Sequence, residues 1–290
     1  MRQLLINLII VFFTFLFGGV AMAYDFKCAH EKDTAPPLDQ QADQWFKQAR
    51  SISKERLPDW PKVAQLYQQA VEKNHWKAMH NLAELYLRGD GVPKDTNKAI
   101  DLYLDMVKLE VPLGYYDMSV MTQRGVGVVR SEKDAMMYLL KAGDIGSPLA
   151  QVRLGNIYIY DLKKRDLGVS YLRCAAHQND ASANYELAEY YEIVDKNYPV
   201  AMHYYQQAAA LGERKGAMAI ERVFKDGEFS YQQDKKTEDA YYKISRELAK
   251  NPDLRFPNLA KDYPLPPNPV QGYHADKDIN WKPAGRDDDY

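Results

Sequence analysis

Cysteine is nearly missing from this chain: two residues, Cys28 and Cys174, in 290. That scarcity excludes a small domain stapled by many disulfides. Neither sign of charge dominates, the formal net charge being −2, so there is no basic footprint for nucleic acid. Histidine is sparse as well, at positions 30, 75, 80, 177, 203 and 274, with no His-Glu-x-x-His and no clustered Cys/His spacing. His80 and Glu84 lie one helical turn apart, but spacing offers no third ligand, and no metal or other cofactor is expected. A Gly-x-Ser-x-Gly nucleophile elbow is lacking too. Cys174 has only His177 near it in sequence, inside a helical pattern whose amides are already bonded and can form no oxyanion site. The expectation is a protein that is not an enzyme.

What is present begins with export. Arg2 precedes an apolar run from Leu4 to Val20, and Ala21-Met22-Ala23 follows as an Ala-x-Ala cleavage site. Residues 1–23 read as a signal peptide cleaved after Ala23, although the run approaches the length of an uncleaved anchor. Asp25-Phe26-Lys27 before Cys28 lacks the small and aliphatic residues of a lipid-attachment signal. The location expected is the periplasm, with no membrane span after cleavage.

Beyond a leading segment, 24–41, one pattern repeats. Small residues recur at Ala42, Ala78, Gly114, Ala150, Ala183 and Gly216, at spacings of 36, 36, 36, 33 and 33. Four residues after each stands Phe46, Leu82, Met118, Leu154, Leu187 or Ile220, and a ring often follows four later, as in Tyr86, Tyr158, Tyr191 and Phe224. Such periodicity marks the apolar face of a helix. A second helical pattern starts at Val63, Ala99, Ala135, Gly168 and Ala201. Each unit is therefore a helical hairpin whose small residues let neighbours stack closely and share a core.

Gly89-Asp90-Gly91-Val92 and Gly125-Val126-Gly127-Val128 form the loops of two units. Neither follows a strand or precedes Lys-Ser/Thr, so a phosphate loop is not indicated. The stretches Tyr160 to Arg165 and Ile193 to Tyr198 are shorter and lack the glycines, which predicts tighter turns there. Together these residues resemble the Sel-like repeat (SLR) branch of the tetratricopeptide superfamily over 42 to about 248. The resemblance implies an all-α, right-handed superhelical solenoid of about six hairpins over 42–250. A Pro-rich tail, 251–290, follows with seven prolines. It is expected to be extended, either draped over the last hairpin by Phe256, Tyr263, Tyr273 and Trp281 or disordered, with draping favoured because aromatics are scarce in disordered tails.

Cys174 falls six residues after its helix's small residue, where other units carry Asp105, Lys141 and Gln207. That stripe is polar, and a free thiol on it would be a hazard in an oxidising compartment, so Cys174 is expected to bond Cys28.

First helices usually line the inner, concave face of such a stack. Their non-core stripe gives the candidate partner-binding residues: Asn81, Glu84, Arg88, Asp117, Arg124, Arg153, Asn156, Glu186 and Glu189, with Val120, Tyr160 and Ile193 between them and Tyr115, Tyr116 and Tyr185 at its border. Taken singly each is an ordinary solvated position; as a stripe they combine acids, arginines and aromatics in the way of protein interfaces. Most of the 22 tyrosines, including Tyr86, Tyr103, Tyr138, Tyr158, Tyr171, Tyr191, Tyr204 and Tyr205, fall on core positions instead.

Several further segments carry a narrower likeness: Cys28 with Pro37-Leu38-Asp39, Gly114-Tyr115-Tyr116-Asp117-Met118, Tyr171-Leu172-Arg173-Cys174-Ala175-Ala176, and Leu265-Pro266-Pro267. They resemble exported bacterial SLR proteins that accompany type VI secretion phospholipase effectors as immunity proteins. The resemblance implies a protein partner, a secreted lipase or phospholipase effector that this chain neutralises. Two other roles stay open at this point: a periplasmic SLR scaffold for envelope assembly or signalling, and an enzyme acting on peptidoglycan or β-lactams, whose SLR relatives carry paired cysteines in every repeat.

Overall fold

In the computed structural model, residues 26–266 are described. The segment expected to be a signal peptide, 1–23, and the expected tail anchors Tyr273 and Trp281 lie outside them. The described residues are all-helical, with no strand among them. They divide into two compact units, one containing 36–144 and the other containing 28–35 together with the chain from Ile145 onward.

The first unit is three hairpins: α2 (Gln40–Ser53) with α3 (Trp60–Val71), α4 (Trp76–Arg88) with α5 (Thr96–Lys108), and α6 (Pro112–Arg124) with α7 (Glu132–Asp144). The second begins with a single turn, α1 (Glu31–Thr34), and continues with α8 (Pro148–Asn156), α9 (Arg165–Ala176), α10 (Ala181–Glu189), α11 (Tyr198–Ala210), α12 (Arg214–Asp226), α13 (Lys235–Lys250) and a short α14 (Leu259–Asp262). Short π-helical turns, Ile157–Asp161 and Tyr190–Val194, extend α8 and α10.

The expected small residues and their partners four positions on form the core. Ala42, Ala78, Ala150 and Ala183 are wholly buried, and Phe46, Leu82, Met118, Leu154, Leu187 and Ile220 are all within 2% of it. Helix starts are capped by side chains. Asp39, His75, Ser147 and Asp180 accept from the amides of Ala42, Ala78, Ala150 and Ala183, satisfying a donor that a helix start leaves without a partner. Just before each cap from the second hairpin on, a left-handed residue reverses the chain: Asn74, Glu110, Gly146, Asn179 and Gly212. Their spacing repeats that of the small residues.

Tight approach explains the second loop glycine. A Cβ at Gly91 would lie 2.2 Å from the backbone carbonyl of Trp60, and its φ is +69°. Only glycine fits both conditions.

In the second unit the leading segment is fastened to α8 and α9. Cys28 and Cys174 are joined, with Cα atoms 5.5 Å apart, as expected. Gln151 Nε2 donates to Ala29 O at 2.9 Å, Gln178 Oε1 accepts from Glu31 N at 2.8 Å, and Thr34 Oγ1 donates to Ile145 O at 2.6 Å. Cys174 itself is buried, 1% exposed, rather than accessible. The polar stripe it shares with other second helices is covered here by the very segment it bonds.

Of the tail only 251–266 are described, and these residues fold back on α11 as well as on the last hairpin, where Tyr241 Oη of α13 donates to Tyr263 O at 3.2 Å. Phe256 N donates to Ala210 O at 2.8 Å, Gln206 Nε2 to Tyr263 O at 2.9 Å, and Leu259, in the four-residue α14, is the buried anchor. Tyr263 contributes its carbonyl, while its ring is 41% exposed. Helix is possible at 259–262 because the proline run starts only at Pro264.

Candidate binding surface

In the first unit the stripe is held by hydrogen bonds to second helices. Asn81 Nδ2 donates to Tyr67 Oη at 3.1 Å, and Glu84 accepts from Tyr103 Oη at 2.8 Å while pairing with Arg88 at 3.3 Å. Arg88 is exposed and also meets Asp90 at 2.7 Å. Tyr115 and Tyr116 are half-buried; Tyr115 donates to Glu110 at 2.8 Å, and Lys141 Nζ sits 5.6 Å from the Tyr115 ring centre. Arg124 is exposed.

Asp117 departs from the expectation. It is 7% exposed, its Oδ2 is 2.8 Å from His80 Nδ1, and burial raises its carboxyl above the usual range while the His80 contact pulls the other way. His80 and Asp117 thus tie α4 to α6, and the Asp117 carboxylate is spent on that tie rather than presented to a partner.

In the second unit α10 carries an acidic, tyrosine-framed face. Glu186 is half-buried, its carboxyl raised by burial and then by neighbouring Glu189, with Asn156 hydrogen-bonded to it. Glu189 accepts from Tyr185 Oη at 2.8 Å, which helps hold that phenol above its ordinary range, burial being the larger cause. Lys215 Nζ lies 5.2 Å from the Tyr185 ring centre. The π-helical turns project Tyr160, 39% exposed, and Ile193, 60% exposed, from the ends of the two first helices. Such turns are frequent at functional sites. Arg153 is half-buried on α8.

Residues the sequence reading passed over complete this face. Glu192 accepts from Tyr205 Oη and pairs with Arg222 at 2.9 Å, and Arg222 also reaches Glu228 at 3.0 Å. Arg222 stands six residues after Gly216, the stripe position occupied by Glu84 and Glu189, so extending the stripe to the last hairpin would have found it. Among the core tyrosines, Tyr103, Tyr171, Tyr191, Tyr204 and Tyr205 are buried, but Tyr86, Tyr138 and Tyr158 are only half-buried. The fold also gathers Cys28, His30 and His177, whose ligand-type atoms lie within 4.8 Å of one another although their sequence spacing gave no such sign.

The Sel1 repeat model matches residues 76–104, 112–147, 148–180 and 181–213, which cover the second to fifth hairpins; the first and last hairpins share their geometry outside the match. The immunity protein Pa5087 of Pseudomonas aeruginosa is 45% identical, with a TM-score of 0.74 over 89% of this chain and 100% of that one. The immunity protein PA5088 of the same organism is 44% identical, with a TM-score of 0.78 over 88% and 100%. A curated relative, the chitin synthase regulator SKT5 of Saccharomyces cerevisiae, is 28% identical over 197 residues, 62% of this chain but 28% of that protein. The chain spans about a third or less of the length of the curated relatives it matches. Repeats, hairpin geometry and whole-length likeness agree that this chain belongs to the Sel1 repeat family, in the group that includes these Pseudomonas aeruginosa proteins.

Proposed function

We propose that this is an immunity protein of the periplasm, which binds and neutralises a lipase or phospholipase effector of type VI secretion and itself catalyses nothing. The observation that carries this reading is the 45% identity to immunity protein Pa5087 over the whole of that chain. The lipase target rests on the likeness of the sequence to SLR proteins that accompany phospholipase effectors, and the location on the signal-peptide pattern of residues 1–23.

Capture is stoichiometric: a preformed surface with arginine, tyrosine and carboxylate groups already fixed by neighbouring helices loses little freedom on binding. Arg88 and Arg124 in the first unit, and Tyr160, Glu186, Glu189 and Ile193 in the second, are among the exposed or half-exposed groups of the stripe that can make contact.

The test is a pull-down with residues 24–290 as bait from cells expressing candidate lipase-like type VI secretion effectors, scored by co-elution and by rescue from toxicity. Co-elution with rescue supports the proposal. Capture of a resident envelope protein without rescue refutes it and favours a scaffold.

A further inference from the structure

The cluster of Cys28, His30 and His177 lies in one unit, close to Cys174, and the sequence reading assigned it nothing. His30 Nε2 is 3.4 Å from Cys28 Sγ, and Cys174 Sγ is bonded to that same sulfur. We propose that before the disulfide forms, these four side chains make a Cys₂His₂ site for a tetrahedral divalent cation of the zinc type.

The donor set is that of structural zinc sites, two sulfurs and two imidazoles. Bonds of about 2.0–2.3 Å in a tetrahedron put donor atoms roughly 3.3–3.8 Å apart; the Cys28, His30 and His177 atoms already lie within 4.8 Å of one another, and Cys174 Sγ, joined to Cys28 Sγ, is the donor that must move once that bond is open. The backbone is already in place, since Cα atoms 5.5 Å apart let two thiolates reach one ion. Cys174 lies in the last turn of α9 and His177, three residues on, is the αR residue that caps its C-terminus, so the two side chains share one face. His30 Nε2 faces Cys28 Sγ, and Asp33 Oδ2 stands 3.8 Å from the other ring nitrogen, Nδ1.

Two thiols and one Zn²⁺ give a zinc dithiolate and two protons. Exchange with a disulfide oxidant then transfers two electrons to that oxidant, which leaves as a dithiol after taking up two protons, while Cys28 bonds Cys174 and the ion departs. The ion thus fastens the leading segment to α9 and shields both sulfurs until they are joined.

The experiment titrates the full mature chain, reduced with a phosphine under argon, with Co²⁺ and then Zn²⁺ alone, against the same chain left oxidised. The expected result is one equivalent bound only when reduced, a thiolate-to-cobalt charge-transfer band that Zn²⁺ abolishes, and two protons released per Zn²⁺. His30→Ala and His177→Ala should each weaken Zn²⁺ binding at least tenfold, and their oxidised forms, which keep the disulfide, verify by circular dichroism that the fold is intact. Equal Zn²⁺ uptake by reduced and oxidised chain, or parental affinity in both histidine variants, overturns the proposal.

Discussion

The 36-residue hairpins of the first unit and the 33-residue hairpins of the second close their loops with the same hydrogen bond by different routes. In the second to fifth hairpins, the residue capping the second helix donates its amide to the carbonyl eight residues after the small anchor: Asp95 to Tyr86, Ser131 to Thr122, Lys164 to Tyr158, Asn197 to Tyr191. The bond spans nine residues in the first pair and six in the second. Where nine are available, the first helix ends on left-handed Gly89 or Gly125. Where six are available, it widens into a π turn and the left-handed position falls on Lys163 or Lys196. The closing bond fixes the hairpin, and the loop chemistry adapts to it.

The largest effect that separates the two regions should come from the disulfide, which only the second unit has. It closes a loop with a sequence separation of 146, for which the chain-entropy model gives about 5 kcal/mol, an upper bound where strain or residual structure intervenes. Cys28→Ser with Cys174→Ser should lower stability in urea unfolding, and hydrogen exchange should show the loss first in the second unit. Uniform loss across both units would contradict their separate cohesion.

Next in size is Gly91→Ala in the first unit. Its Cβ meets the Trp60 carbonyl at 2.2 Å from a left-handed backbone, and a loss of about 3 kcal/mol is expected. A change under about 0.5 kcal/mol in chemical denaturation would show that the glycine loop gives way easily.

Acid should act on both regions. Burial lowers the pKa of His75 in the first unit and of His203 in the second. The unfolded chain takes up protons near pH 6.5 that these folded imidazoles refuse, so stability present above that pH is lost as pH falls toward the folded values. Thermal midpoints should drop between pH 7 and 5, and His203→Gln should flatten the drop; an unchanged profile would contradict the burial argument.

The smallest effect tests the loops themselves. Lys163→Gly or Lys196→Gly relieves a left-handed side chain at some cost in unfolded-state entropy, for a net gain of about 0.5 kcal/mol. Measurable destabilisation in urea would mean that the lysine side chains support the π turns.

The hairpins were legible because their small residues and the apolar residues four positions on recur at fixed spacing, and all six pairs appear where that spacing puts them. The shortened loops were visible as missing glycines, but a π turn leaves no periodic signature, so its form was not. Asp117 was misplaced for a tertiary reason: whether a stripe residue faces water depends on what the previous hairpin offers, and there it offers His80. The left-handed series from Asn74 to Gly212 hid behind mixed residue types, although its spacing was there to be read. The Cys/His cluster could not be seen from spacing, because residues 28–30 and 174–177 meet only once the leading segment is folded back.

Neutralisation itself is the central claim. The most direct measurement is phospholipid hydrolysis by the purified lipase-like effector that the pull-down identifies, titrated with residues 24–290. Activity falling linearly to zero at one equivalent, and restored by Glu186→Arg with Glu189→Arg or by Arg88→Glu with Arg124→Glu, is the result the account predicts. Full hydrolysis in the presence of excess chain would contradict it.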